Sequence, residues 1–205
     1  MNDRYQADGK QRGSPSGEQG AVLPNKLGLT DPDDLAEAEL MLLGQIYEAV
    51  LIDELPNRSL TIQDLFDWHR RWLGNLYEWA GEQRSVNVSK GGFMFANAAL
   101  IPRLLKQFDR DCLARFTPCH GLDGDALTEA IAITHVEIIL IHPVREGNGR
   151  LSRLLADVMA VQAGHDPLDY SVWDADKEAY FAAIRAGQGN DYGPMRELVR
   201  VGLKP

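Results

Sequence analysis

The feature that most restricts the fold of this 205-residue chain is an apolar stretch that stops at a proline. From residue 126 to 141 it reads Ala-Leu-Thr-Glu-Ala-Ile-Ala-Ile-Thr-His-Val-Glu-Ile-Ile-Leu-Ile, almost wholly apolar after Glu129, and His142-Pro143 follows. The eleven residues 131–141 are too few to cross a bilayer and suit a buried core helix. A buried strand is the alternative, because isoleucines recur in the run and periodicity does not separate the two. The length from Ala126 favours helix, and Pro143 discourages its continuation. Residues 150–164 then carry a second helical pattern that ends at Gly164. The segment between them is a tight turn joining two helices.

That turn holds the densest chemistry in the chain. Residues 142–153 read His-Pro-Val-Arg-Glu-Gly-Asn-Gly-Arg-Leu-Ser-Arg. Gly147, Asn148 and Gly149 stand at the start of the second helix, where free N–H groups and the helix dipole favour an anion. Glycine there lets the backbone approach a phosphate closely. Arg150 and Arg153 are spaced i, i+3 and share a face of the first turn. Two guanidinium groups oppose the dipole at that end, a cost best rationalised by an anion bound between them. Glu146 beside a phosphate site suggests Mg²⁺, which needs only one or two protein carboxylates. His142 is a candidate proton acceptor at neutral pH.

The segment resembles the signature of the Fic (filamentation induced by cAMP) family of the Fic/Doc superfamily, His-x-Phe-x-Asp/Glu-Gly-Asn-Gly-Arg-x-x-Arg. Every defining position matches except Val144, which stands where the family usually has a core-packed Phe, a packing change. Residues 79–93 resemble the family's Trp-Ala-Gly…Arg segment and the β-hairpin flap over its active site. The resemblance implies a mainly α Fic-type helical bundle with that short flap, covering residues 25–203. It implies transfer of AMP from ATP to a Ser, Thr or Tyr hydroxyl of a target protein, with release of pyrophosphate. In it His142 is the catalytic base and Glu146 holds Mg²⁺ on the α- and β-phosphates. Gly147, Asn148 and Gly149 form the anion hole, and Arg150 and Arg153 bind the phosphate tail, Arg153 at the γ-phosphate. The flap docks the target as an added strand, and Lys90, Gly91, Gly92 and Phe93 are the candidate contacts.

The flap is legible by itself. Residues 84–90 alternate polar and apolar like a half-exposed strand, Gly91-Gly92 signals a turn, and Phe93-Met94-Phe95 reads as a returning strand. The rest reads as helical scaffold: residues 31–51, opened by Asp31-Pro32, with Leu35, Leu42, Ile46 and Ala49 in one stripe; residues 61–78; 101–116; 173–186; and 194–201. Residues 1–24 read as a disordered tail rich in Gly, Ser, Gln and charge. His135, seven residues before His142, is expected to be a satisfied core histidine.

A net charge of −9 argues against a nucleic-acid partner, and no stretch suits a membrane. Two cysteines, Cys112 and Cys119, and no signal peptide fit a reducing cytoplasm. Many Fic enzymes are blocked by a glutamate from a Ser/Thr-x-x-x-Glu-Gly/Asn helix, which pairs with the second arginine, here Arg153. Ser14…Glu18 fits the first half only, since Gln19 follows and Gly13, Pro15 and Gly17 oppose a helix. The expectation is therefore a separate small antitoxin supplying the glutamate, with this chain as the toxin of a toxin–antitoxin pair. Alternatives are a Doc-like kinase, a de-AMPylase and a silent nucleotide-sensing module. Gly149 favours AMP transfer, because Doc-like motifs carry a bulkier residue there.

Overall fold

A computed structural model describes the backbone of Gln6–Asp8 and residues 22–203. The expected disordered tail lies mostly outside the described residues. Within that span Gln6–Asp8 (β1) is strand, and Leu23 is buried in the core.

The apolar run is helix. Its helix α5 (Gly124–Ile141) starts two residues before Ala126, because the Asp123 carboxylate accepts the Ala126 N–H at 2.9 Å and caps it. Leu127, Ile131, Val136, Ile138 and Ile141 are buried, so the helix is apolar on nearly every side and lies at the centre of the domain. It packs chiefly against α6 (Asn148–Gln162) and α9 (Gly193–Gly202), with α3 (Ile101–Phe108) and α8 (Lys177–Ala186) behind them. The helix α1 (Pro32–Glu48) begins as expected: the Asp31 carboxylate accepts the Asp33 N–H, and Pro32 occupies the first turn. It lies on α2 (Ile62–Leu73). The helix predicted over residues 101–116 runs through α3, a π-helical stretch (Asp109–Leu113) and a last turn, α4 (Ala114–Phe116).

Two helices differ from expectation. The one predicted over 61–78 stops at Leu73: Gly74 still donates its N–H to Arg70, and the chain then continues in turns, with Leu76 and Tyr77 both donating to the Leu73 carbonyl. The one predicted over 173–186 is two helices, α7 (Ser171–Ala175) and α8. Asp176 breaks out of helical geometry and its carboxylate caps Ala179 N–H instead.

The flap is β2 (Asn87–Lys90) and β3 (Phe93–Met94), antiparallel with Lys90 opposite Phe93. Gly91 and Gly92 both have positive φ, 54° and 76°, as a two-residue hairpin turn of the right twist requires. β1 pairs antiparallel with the other edge of β2, Ala7 opposite Val88. No helix among the described residues is long and apolar enough to cross a membrane.

Candidate active site

His142 is the residue at which α5 ends. It adopts the left-handed conformation, φ 52° and ψ 61°, with its N–H still donated to Ile138. A non-glycine residue held there costs about 1–3 kcal/mol and persists only if its surroundings over-determine it. Arg84 does that. Its fully buried guanidinium donates Nε to the His142 carbonyl at 2.6 Å, Nη1 to Val86 at 2.6 Å and Nη2 to Ala96 at 2.5 Å, with a longer contact to Ile141. One cation thus closes the carbonyl end of α5, where the dipole is negative, and ties the flap to it. Burial, and then Arg145, lower its pKa to about 10, so it is charged at neutral pH.

The His142 ring is 1% exposed and stacks on Phe95 at 3.7 Å between centroids. Its Nδ1 lies 3.2 Å from the Ile139 carbonyl, which can only accept, so the proton is on Nδ1 and the lone pair on Nε2. Burial, followed by the charges of Arg84 and Lys90, lowers its pKa to about 3.

The turn after Pro143 is closed by Asn148, whose amide accepts the Val144 N–H at 3.0 Å and donates to the Val144 carbonyl at 2.8 Å. Val144 itself is fully buried in the core. Glu146 accepts the Gly147 N–H at 3.0 Å. That leaves the first-turn amides of α6 after Gly147 as donors without an intrahelical partner. His69 braces the turn from α2: Gly81 donates to its Nδ1 at 2.7 Å, and its Nε2 donates to the Glu146 carbonyl at 3.0 Å. Gly147 has φ 84°, and a Cβ there would lie 2.8 Å from the Trp72 ring. Gly147→Ala is expected to cost roughly 2 kcal/mol or more in a urea unfolding curve. A change under about 0.5 kcal/mol would mean the turn is not packed this way.

A cavity of about 690 Å³ opens onto this turn. His142, Glu146, Gly147, Gly149, Arg150 and Arg153 line it, with Lys90, Gly91 and Phe93 from the flap. Asn148 and Gly92 are not among its walls, and the Asn148 side chain is committed to Val144. Glu39, Phe95 and Ile139 are also among its walls, and Ala36, Leu40, Tyr180, Phe181, Ile184 and Arg185 complete it. Both motif arginines meet carboxylates that sequence reading did not single out. Arg150 Nη2 lies 2.9 Å from Glu39 of α1, and its guanidinium stacks on Trp72 at 4.6 Å. Arg153 is chelated by Asp174, at 2.7 and 3.2 Å, over the Tyr170 ring. These partners come from α1, α2 and α7, and no local pattern marks them.

His135, expected to be a satisfied core histidine, is buried between the Tyr180 hydroxyl at 2.9 Å and the Ser152 carbonyl. Burial is the main cause that lowers His69 to about 4 and His135 to about 3. The unfolded chain therefore takes up protons near pH 6.5, where the fold does not. The stability tied to His69, His135 and His142 is complete above that pH and is lost as pH falls toward 4. Each withdraws up to about 1.4 kcal/mol per pH unit in that window. The melting temperature should fall clearly between pH 7 and pH 5, and a flat profile would show that these rings protonate inside the fold.

Together these observations define a helical domain whose chemistry is gathered on one interhelical turn beneath a hairpin. The model of the Fic/DOC family matches residues 59–160. The chain is 28% identical over 179 residues to a probable protein adenylyltransferase, y4lH, of Sinorhizobium fredii, spanning 87% of this chain and 90% of that one. It is 29% identical over 188 residues to the protein adenylyltransferase VbhT of Bartonella schoenbuchensis, covering 89% of this chain and 37% of VbhT. The N-terminal FIC domain of Bep8 from Bartonella sp. 1-1C shares the fold, with a TM-score of 0.75 at 24% identity over 90% of this chain and 91% of that one. This chain belongs to the Fic/DOC family.

Proposed function

We propose that this chain is a protein adenylyltransferase, a nucleotidyltransferase that moves AMP from ATP to a Ser, Thr or Tyr hydroxyl of a target protein. The observation that carries this is one cavity lined by a neutral His142, the Glu146 carboxylate, the glycine amides and both arginines. The names of y4lH and VbhT support it. The domain occupies residues 25–203, extended to Leu23 by that side chain's burial.

The target hydroxyl oxygen attacks the α-phosphorus of ATP, and the bond to the bridging oxygen of pyrophosphate breaks. The hydroxyl proton passes to His142 Nε2, which the tautomer leaves as an acceptor. Amides at the start of α6, with Arg150 and Arg153, hold the phosphates and offset charge as it shifts to the leaving group. Among the described residues no three His, Cys, Asp or Glu side chains group as a metal cage. Glu146 nonetheless fits Mg²⁺: it lines the cavity and, with one oxygen on the Gly147 amide, keeps the other for a cation otherwise held by phosphate and water. Bound there, Mg²⁺ supplies neutralisation of phosphate charge. The flap residues Lys90, Gly91 and Phe93 at the cavity rim, with Gly92 at the turn, dock the target.

The regulatory part of the reading is a separate small antitoxin that brings a glutamate to Arg153, this chain being the toxin, acting in the cytoplasm. Ser14 and Glu18, the half-match to a cis inhibitor, lie outside the described residues. Incubation of the pure chain with Mg²⁺ and ATP labelled on the α-phosphate, beside a γ-labelled control, tests the reaction. Protein-bound α-label is the expected result. Label from the γ-phosphate alone would replace it with a Doc-type kinase, and silence even with a target lysate would overturn it. An inhibited chain released by Glu18→Gly would overturn the antitoxin.

A further inference from the structure

We propose that Glu39 is a positioning residue for the phosphate-binding Arg150, an inference that rests on the nucleotide reading of the cavity. Glu39 lies in α1, outside both the motif and residues 59–160. It is 3% exposed, yet it is a wall of the cavity. Its two oxygens are used separately: Tyr77 donates its hydroxyl to Oε1 at 2.5 Å, and Arg150 donates Nη2 to Oε2 at 2.9 Å. Trp72 donates its indole N–H to the Glu39 carbonyl at 2.9 Å and presents its ring to the Arg150 guanidinium. Glu39 and Trp72 thus hold the arginine from two sides, and Tyr77 fixes the Glu39 carboxylate.

Arg150 needs such a device. It stands in the first turn of α6, where the helix dipole repels a cation. The other nearby carboxylate, Glu146, is 3.9 Å away and already caps Gly147. Left to itself the guanidinium would swing toward solvent. Glu39 holds it by Nη2 and leaves Nε and Nη1 as donors for a phosphate oxygen. Burying a carboxylate and an arginine together yields little net stability, because desolvation offsets the attraction. Aiming the arginine accounts for the pair where stability does not. The Asp174–Arg153 pair differs, since the Asp174 side chain is 55% exposed and solvent weakens its hold.

The test is ATP and adenosine binding to the full chain by calorimetry, with KM and kcat for α-label transfer, in Glu39→Ala, Glu39→Gln, Tyr77→Phe and Arg150→Ala. Glu39→Ala should weaken ATP and raise its KM by about tenfold or more, the usual loss when a charged hydrogen-bonding partner is removed. It should leave the KM for target and adenosine binding near wild type. Glu39→Gln, whose amide oxygen can still accept from Arg150, should recover most of the loss, and Tyr77→Phe should show a smaller one. In the Arg150→Ala background Glu39→Ala should add nothing. An equal loss for adenosine, additive losses in the double variant, or tighter ATP binding by Glu39→Ala would each overturn the proposal. If Glu39→Ala does not fold, the Glu39→Gln and Tyr77→Phe arms decide. Wild type that neither binds ATP nor transfers label would instead remove the nucleotide reading itself.

Discussion

Replacing His142 with alanine should lower the rate of AMP transfer by about 10²–10⁴-fold, the usual contribution of a positioned proton acceptor, while ATP binding stays near wild type. The reason is geometric. The ring is clamped between Phe95 and the Ile139 carbonyl, and its tautomer leaves only Nε2 to accept a proton. The arginines and amides proposed to bind the nucleotide are untouched by the change. Burial and the neighbouring cations Arg84 and Lys90 hold the empty site's His142 near 3, low for a general base. A triphosphate in the cavity opposes both cations and lifts the proton affinity toward the working pH. Two pH profiles follow. The acid limb of kcat/KM, which reports the free enzyme, should lack a step near 6.5 from His142, and the limb of kcat should lie at higher pH than that pKa of about 3. Single-turnover α-label transfer by His142→Ala at near the wild-type rate would sink the assignment.

The largest stability effect should come from Arg84→Met. Three carbonyls lose a charged donor, those of His142 and Val86 in buried surroundings and that of Ala96 in partly buried ones, and the Ile141 contact goes as well. A buried acceptor left unsatisfied costs about 1–3 kcal/mol. With partial relaxation, a total of about 3–5 kcal/mol and a fall in melting temperature of roughly 10 °C are expected. Activity should fall further than folding at low temperature, because the same guanidinium holds the left-handed His142 and joins the flap to α5. Arg84→Lys should rescue little, since a point charge cannot serve three directions as a planar fork does. Thermal unfolding decides it: a loss below about 1 kcal/mol would mean those carbonyls find water.

Much of the site was legible because it is local. Apolar residues 126–141, the proline after His142 and the glycines before Arg150 suffice to place a helix, a sharp turn and a helix start in one short stretch. The helix dipole and free amides follow from that placement alone. Gly91-Gly92 similarly announces a hairpin through its positive φ angles. Helix ends were less legible. The first helix ends at Leu73 in turns, and Asp176 breaks the other with a side-chain cap, while the apolar periodicity continues past both.

The sequence by itself determined the central helix, the turn after it and the candidate groups gathered there. Each depends on residues within about one helical turn of another, so spacing carries the information. Tertiary structure alone decided how those groups are held. Glu39 on Arg150, Asp174 on Arg153, His69 under Glu146 and Arg84 behind His142 join residues from 21 to 111 positions apart. A buried carboxylate or guanidinium is recognisable only by the partners that offset its desolvation, and packing, not local spacing, chooses those partners.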